Sequence, residues 1–413
     1  MRKLLLLTVL LTFIIGMSAS ATETRLESMG MGDFWFDGTY VTALNTVVKD
    51  DANISMYPST INYYPNIFWG EVDSHEYYYY SKSIYDRNDF FYKAGALFQK
   101  GDKDDPFVFG FHFSTVPYES DFNHNLYNYD DDEQTNHRMN LYYGRNLSDM
   151  PFGFTFGYYR SSAKNENDLN SSITSQYEDS YNRYEFGFGL SPMEGKLELA
   201  LSLAMTGWTD KDYETYTNGS GVVDETEPDG NLELGLKARY FMEPKGNFHC
   251  VPHFAFMTSK YGEKVFSELT TGDWGVNRTE ETKVTVLDLG WGTNYHADED
   301  VLVVADFGVS LGTYKYSTDY AESDDEANEA ETKRNYNAMP YFKLGIDAKV
   351  FKWMDFRAGV SSLWNGYKYE YAYTDYTYKN SESYTTTQTF LGVGMHWGAL
   401  EIDALLDPEF LLN

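Results

Sequence analysis

The chain has 413 residues, 18% of them aromatic, with 63 acidic residues against 32 basic and a formal net charge of −31. That much aromatic side chain can bury enough surface to order the chain, which excludes intrinsic disorder, and so negative a balance argues against nucleic acid as a partner. A single cysteine, Cys250, excludes an intramolecular disulfide and any multi-cysteine metal site.

Residues 1–21 read as a removable export signal. Arg2 and Lys3 supply the positive start, Leu4 to Ile15 the apolar stretch, and Ala19-Ser20-Ala21 the small-residue cleavage site. The apolar stretch is short of the roughly 20 residues a membrane-spanning helix needs. No later stretch is long and apolar enough either. An exported chain of this kind that enters a membrane must do so as strands.

Residues 22–62 do not share the rhythm that follows. They run Thr24-Arg25-Leu26-Glu27-Ser28-Met29-Gly30-Met31-Gly32, then a mixed stretch, then Lys49-Asp50-Asp51 through Met56-Tyr57-Pro58-Ser59-Thr60. About 40 residues ahead of a first strand suit a plug in a lumen or a periplasmic extension.

From about Asn66 the chain alternates apolar and polar residues with a period of two, the pattern of a strand with one greasy and one wet face. In Asn231 to Tyr240, Leu232, Leu234 and Leu236 oppose Glu233, Gly235 and Lys237. Phe107, Phe109, Phe111 and Phe113 oppose Val108, Gly110, His112 and Ser114. About fourteen such runs occur, at 66–80, 89–100, 106–116, 136–147, 152–162, 179–190, 196–207, 230–241, 248–259, 281–296, 301–316, 335–350, 355–372 and 383–398. Short links and long polar links alternate between them.

That alternation predicts an all-β transmembrane antiparallel barrel over 63–398, with short periplasmic turns and long outer loops, located in the outer membrane. Soluble β-sandwich domains would leave the asymmetry of the links unexplained. Trp208, Trp291, Trp364 and Trp397 lie near strand ends, as interface girdles require. The acidic runs Asp130 to Glu133 and Glu322 to Glu331 fall in outer loops, as solvated faces or as cation bridges to an anionic surface. Residues 399–413 end Phe410-Leu411-Leu412-Asn413 and are expected to form a periplasmic tail or short tuck-in.

Arg25, Met29, Gly30, Asp51 and Tyr57-Pro58-Ser59 resemble the opening motifs of the long-chain fatty-acid transporter superfamily, whose barrels have fourteen strands. Tyr57-Pro58-Ser59 departs from that family's Asn-Pro-Ala. The resemblance implies that 22–62 form a hatch within the barrel and that the cargo is a small hydrophobic or amphipathic molecule. Related barrels of the same superfamily dock secretion machinery instead.

Chemistry is sparse. His249 and His253 lie four apart with no further ligand at useful spacing, and Asp298 with Asp300 reads as turn chemistry rather than a calcium loop. No nucleophile elbow, phosphate loop or zinc-protease motif is present, so no catalytic residue, metal or cofactor is assigned. Alternation places Lys93, Arg138, Asp306 and ten ligand-binding candidates on the inward face: Arg183, Glu185, Glu233, Lys237, Arg239, Asp288, Lys343, Asp347, Lys349 and Arg357. The inward Gly187, Gly189, Gly235, Gly290, Gly292 and Gly345 make room for a plug or a passage. Pro252 and Pro340 fall inside strands and mark breaks in the wall, because proline cannot donate to a ladder. The function expected is passive uptake of small, hydrophobic molecules across outer-membrane lipid. The alternative is a non-transporting barrel that docks a secretion or surface-assembly partner.

Overall fold

The structure is a computed structural model that describes residues 18–20, 23–31, 34–36, 39–42, 47–75, 89–102, 105–114, 137–170, 173–216, 221–269, 275–320, 330–373, 377–397 and 400–406. Its first elements are β1 (Ser18–Ser20), helix α1 (Glu23–Ser28) and a separate hairpin of β2 (Phe34–Phe36) and β3 (Thr39–Thr42). Two 3₁₀ turns follow at Asp51–Ile54 and Pro58–Tyr63. The wall then runs β4 (Ile67–His75), β5 (Asp89–Asp102), β6 (Asp105–Ser114), β7 (His137–Leu147), β8 (Met150–Asn170), β9 (Ile173–Leu190) and β10 (Leu197–Tyr216). It continues with β11 (Gly221–Pro228), β12 (Leu232–Tyr240), β13 (Met242–Lys245), β14 (Phe248–Leu269), β15 (Gly275–His296) and β16 (Val301–Tyr320). The last four strands are β17 (Ala330–Phe351), β18 (Met354–Tyr373), β19 (Thr377–Trp397) and β20 (Leu400–Leu406).

All of these but β2 and β3 belong to one eighteen-stranded sheet, in which adjacent wall strands pair antiparallel. Strands β11, β12 and β13 follow one another along a single course beside β14. With those three counted as one course, β4 to β19 make the fourteen that the periodicity predicts.

The two faces of the wall follow the sequence pattern. Phe109, Phe113, Leu141, Leu199, Leu201, Leu236, Phe307, Leu344 and Trp364 stand exposed on the outside, while Glu198, Arg239, Asp288, Asp306, Lys343 and Arg357 are buried within. Soluble monomers rarely show contiguous apolar surface on this scale. The arrangement is that of a barrel built for a hydrocarbon surround.

Two expectations need correction. Five of the seven long connections are not open loops, because their flanks pair into ribbons that prolong the wall, while those at 81–88 and 117–135 lie outside the described residues. Asn165 pairs with Tyr177 and Lys164 with Glu178, so β8 and β9 leave only two residues between them. β14 and β15 likewise pair out to Glu268 and Gly275. These extensions carry polar residues on both faces, so they have no hydrophobic period to announce them. The acidic run at Asp130 to Glu133 and most of Glu322 to Glu331 lie outside the described residues. The second correction is at the C-terminus, where Leu400–Leu406 is a further strand rather than a tail. It pairs antiparallel with β19 from Trp397↔Leu400 to Leu391↔Leu406.

That extra strand makes the number of wall courses odd, so β20 runs parallel to β4. No ladder joins the two directly among the described residues. β1 lies between them, parallel to both, with Ala19 opposite Leu400 on one side and Phe68 on the other. The ring is thus continuous only through a strand from the stretch that reads as a removable signal.

Inside the ring sits the N-terminal segment. Leu26, Met29, Met31, Val47 and Val48 pack against Phe241, Val251 and Val304 of the wall, and Ile54 and Ile61 against Trp69, Leu97, Val108 and Tyr142. Inward glycines receive it. A side chain at Gly153 or Gly189 would collide with the Pro58–Ser59 backbone, one at Gly345 or Gly359 with Met29, and one at Gly292 with Val47. Gly290 instead leaves room for His253 and Tyr341, and Gly235 for Ser202. Overpacking of this kind costs about 1–3 kcal/mol or more. Gly153→Leu should therefore loosen residues 47–64 without dismantling the wall. Limited proteolysis in detergent checks this: cleavage in that segment should become faster while the remaining barrel stays resistant.

Candidate functional site

Three inward ionic groups can be traced from strand register. The first lies on a single cross-strand row: Asn140↔Gly157↔Glu185↔Ala204↔Glu233↔Ser259↔Val284. Glu185 and Glu233 flank Ala204, and Arg183 bridges them. Its Nε donates to Glu185 Oε1 at 2.7 Å and its Nη2 to Glu233 Oε2 at 2.9 Å, while Nη1 also meets Glu233. Arg138 Nη2 donates to Glu185 Oε2 at 2.7 Å, and the Tyr261 hydroxyl donates to Glu233.

This group walls a cavity of about 320 Å³. Ser55 and Met56 of the plug form one side, and Arg138, Arg183, Glu185, Glu233 and Lys237 supply the charges. Tyr142, Leu203, Met257, Val284 and Val286 supply apolar surface. The three cations exceed the two carboxylates by one charge. The volume falls in the range of small-molecule sites, which combine apolar lining with a few fixed polar groups. Four of the ten predicted ligand-binding residues, Arg183, Glu185, Glu233 and Lys237, thus come together here.

The second group fastens the plug. Arg239 Nε donates to Glu198 Oε2 at 2.6 Å, with both side chains fully buried, and Arg239 Nη1 donates to the Val48 carbonyl at 3.2 Å. The guanidinium lies 4.2 Å from the Tyr57 ring centroid and 5.1 Å from that of Phe241. Lys49 Nζ approaches the same Glu198 at 3.8 Å and donates to the Gly195 carbonyl at 2.8 Å. Burial lowers the Lys49 ammonium below its ordinary value.

In the third, Arg25 of α1 meets Asp50 at 3.2 Å and Asp347 at 3.1 Å. Arg357 meets the other oxygen of Asp347 at 3.1 Å and also pairs with Asp403 and Glu401. Burial, with Asp51 beside it, pushes the Asp50 carboxyl up to about 8 in spite of Arg25.

The remaining candidates lie apart from the cavity. Asp288 is buried beside His253, whose Nδ1 is 3.6 Å away, while His253 Nε2 meets Asp306 at 2.9 Å. Tyr341 donates to Asp288 at 3.3 Å, and Lys343 is buried nearby. Lys349 is exposed, with its backbone N–H bonded to the Asp300 carbonyl at the 297–300 turn. His249 stacks edge-on against His296 instead of joining His253. Pro252 lies opposite the break in the ladder where Tyr240 and Phe241 fall between the β12 and β13 pairings to β14, yet stays in register with Trp291 of β15. Pro340 sits in a bulge that shifts the register on both sides of β17. Both ladders resume beyond the prolines.

Sequence reasoning missed the plug-side half of these groups. Arg25 and Asp347 are 322 positions apart, and only the closing of the ring brings them together. Of the residues that carry the family resemblance, Met29, Asp51, Tyr57 and Ser59 are buried between plug and wall.

No protein-family model and no curated protein matches the sequence. Solved structures do. The chain is similar to the ferric yersiniabactin uptake receptor FyuA from Yersinia pestis, at 8% identity and a TM-score of 0.38, over 74% of this chain and 63% of that one. It is also similar to the toluene transporter TodX from P. putida, at 11% identity and a TM-score of 0.30, over 90% of this chain and 97% of that one. A third is the β domain of the Bordetella autotransporter Brka, at 12% identity and a TM-score of 0.26, over 72% and 96%. These neighbours are outer-membrane β-barrels. The chain spans 63% of FyuA and 62% of the Bordetella pertussis receptor FauA, just under two thirds of each.

Removing one partner of a buried pair leaves the other charge uncompensated, at about 3–5 kcal/mol. Arg239→Ala should cost that much in urea unfolding, and replacing Arg239 and Glu198 together by Met and Leu should recover most of it. The Asp50 carboxyl sits above its unfolded value of about 4, so its protonated form favours docking of the plug, and that contribution is lost as pH rises through about 8. Protease release of the plug should then be faster at pH 9 than at pH 6, and Asp50→Asn should flatten the difference.

Proposed function

We propose that this protein is an outer-membrane barrel for passive uptake of small hydrophobic or amphipathic molecules. The cavity beside Met56 carries the reading. It joins apolar lining to a cationic excess of one charge, which suits a molecule with a greasy body and an acidic or polar end. The outward Phe, Leu and Trp side chains would meet outer-membrane lipid, and the export signal would deliver the chain there. No catalytic step is assigned to it.

The cavity lies on the side of the plug nearer the long ribbons, so cargo entering between the ribbons meets Arg138, Arg183 and Lys237 before it meets the plug. Passage onward requires that the segment 47–64 shift. Its polar grip, through Arg239, Lys49 and Arg25, uses bonds that can be exchanged rather than a covalent tie. The resemblance to the fatty-acid transporter superfamily and the likeness to the toluene transporter TodX accord with a hydrophobic cargo.

A second reading, a barrel that docks a secretion or surface-assembly partner, draws on the same ribbons. β8 with β9 and β14 with β15 extend well past the 10 or so residues a spanning strand needs, and beyond Arg160 β8 has no ladder on its β7 side among the described residues.

Reconstitution into liposomes separates the two. The full chain should accumulate radiolabelled benzenesulfonate, a small amphipathic anion, faster than protein-free liposomes do. Ala204→Trp, placed between Glu185 and Glu233, should cut that rate about tenfold while the barrel remains heat-modifiable on gels. A wild-type barrel that passes nothing, and that co-purifies with a stoichiometric partner, would replace uptake by docking.

A further inference from the structure

We infer that the start of β18, the end of β19 and the start of β20 together form a divalent-metal site, with Asp355, His396 and Glu401 as ligands. Each residue comes from a different strand. Register places them: His396 pairs directly with Glu401, and Asp355 pairs with Gly394, two residues from His396 on the same inward face. One donor atom from each lies within 4.8 Å of the others. His396 Nε2 is 2.6 Å from Asp355 Oδ2, and His396 Nδ1 is 3.9 Å from Glu401 Oε2. These contacts use opposite nitrogens of one ring, so a metal held through a single imidazole nitrogen, with donors roughly 3–3.5 Å apart, requires the His396 ring to turn and Asp355 to give up its hydrogen bond to Nε2.

Charge supplies an independent reason. Around Arg25 and Arg357 stand Asp347, Asp355, Glu401 and Asp403, while Asp50, held largely protonated at neutral pH by its burial, adds little charge. Two guanidiniums against those four carboxylates leave two negative charges over. Asp403 sharpens the imbalance. Its side chain is 1% exposed, it stands across Gly394 from Asp355 in the same row, and its Oδ2 has no hydrogen-bond partner. Carboxylates crowded into a poorly solvated corner repel one another unless a cation joins them. Arg357 Nη2, at 3.4 Å from Glu401 and 3.6 Å from Asp355, neutralises part of that charge but cannot reach all of it.

The ligand set selects the ion. One imidazole with two carboxylates suits zinc and its first-row neighbours, whereas calcium and magnesium prefer all-oxygen sites. His396 is 30% exposed, so the site is reachable from solvent and has room for a water as further ligand. A metal here would bind β20, the last strand before the seam with β4, to both β19 and β18. Its role is a staple at the weakest course of the wall, and it is independent of what the cavity carries.

The test uses the purified full chain in detergent, stripped with a chelator and titrated with Zn²⁺ alone by calorimetry. Wild type should bind one equivalent and melt at a higher temperature when loaded. His396→Ala and Glu401→Gln should each weaken that binding at least tenfold and lose the thermal shift, while His249→Ala keeps both. Circular dichroism and heat-modifiability identify folded variants, and Glu401→Gln, which keeps size and shape, carries the test should His396→Ala misfold. No Zn²⁺ binding in wild type, or wild-type affinity in folded His396→Ala or Glu401→Gln, would reduce the cluster to a hydrogen-bonded brace.

Discussion

A wall that turns its apolar side chains outward must place its charges inside, and charges inside a narrow ring cannot be left alone. That constraint governs the rest of the molecule. Each inward charge with a strand neighbour of opposite sign pairs across the ladder, as Arg183 does with Glu185 and Glu233. At two places the N-terminal segment adds a charged partner of its own. Asp347 finds Arg25, and Glu198 finds Lys49 in addition to Arg239. The plug is therefore more than a stopper. It completes the electrostatics of the interior while its Leu, Met and Ile side chains give the barrel the hydrophobic core that its inside-out wall lacks.

The wall was legible because the hydrophobic surround imposes a strict period of two. Phe107 to Ser114 can be read only one way, since a slip of one residue would turn four phenylalanines into the lumen. The inward glycines were legible for a related reason, as gaps in a face otherwise carrying side chains. Whether each gap admits plug or passage was not, because that depends on which residue lies opposite, and Pro58 is nearly a hundred positions from Gly153.

What stayed hidden lacked either period or proximity. The ribbon from Ser161 to Asn170 is wet on both faces, so nothing in its composition separates a paired strand from a loop. β20 is seven residues long, too short for alternation to stand out, and its Glu401 and Asp403 gain meaning only beside Arg357. The four cavity residues Arg183, Glu185, Glu233 and Lys237 were found by alternation, yet alternation could not say that they share a cavity while Lys349 faces solvent at a turn. Height along the strand, set by register, made that distinction.

The odd course at the end of the wall has a physical consequence. Antiparallel neighbours can close a ring only when their number is even, so β4 and β20 must meet in parallel or not at all. Here a third parallel strand, Ser18–Ser20, stands between them, drawn from the stretch that reads in the sequence as a removable signal. Loss of that strand exposes two rows of unpaired backbone groups where hydrocarbon offers no hydrogen bonds. Those groups must be satisfied by drawing the edges together, with Leu400 and Phe68 already aligned through Ala19. The contacts that hold β20 from within are then those of its lumen face. They are Asp403 and Glu401 on Arg357, His396 across the ladder, and α1 of the plug packed beneath. The ionic cluster thus lies where, among the described residues, β20 has a full backbone ladder on its β19 side and a single bridge, Ala19↔Leu400, on the other.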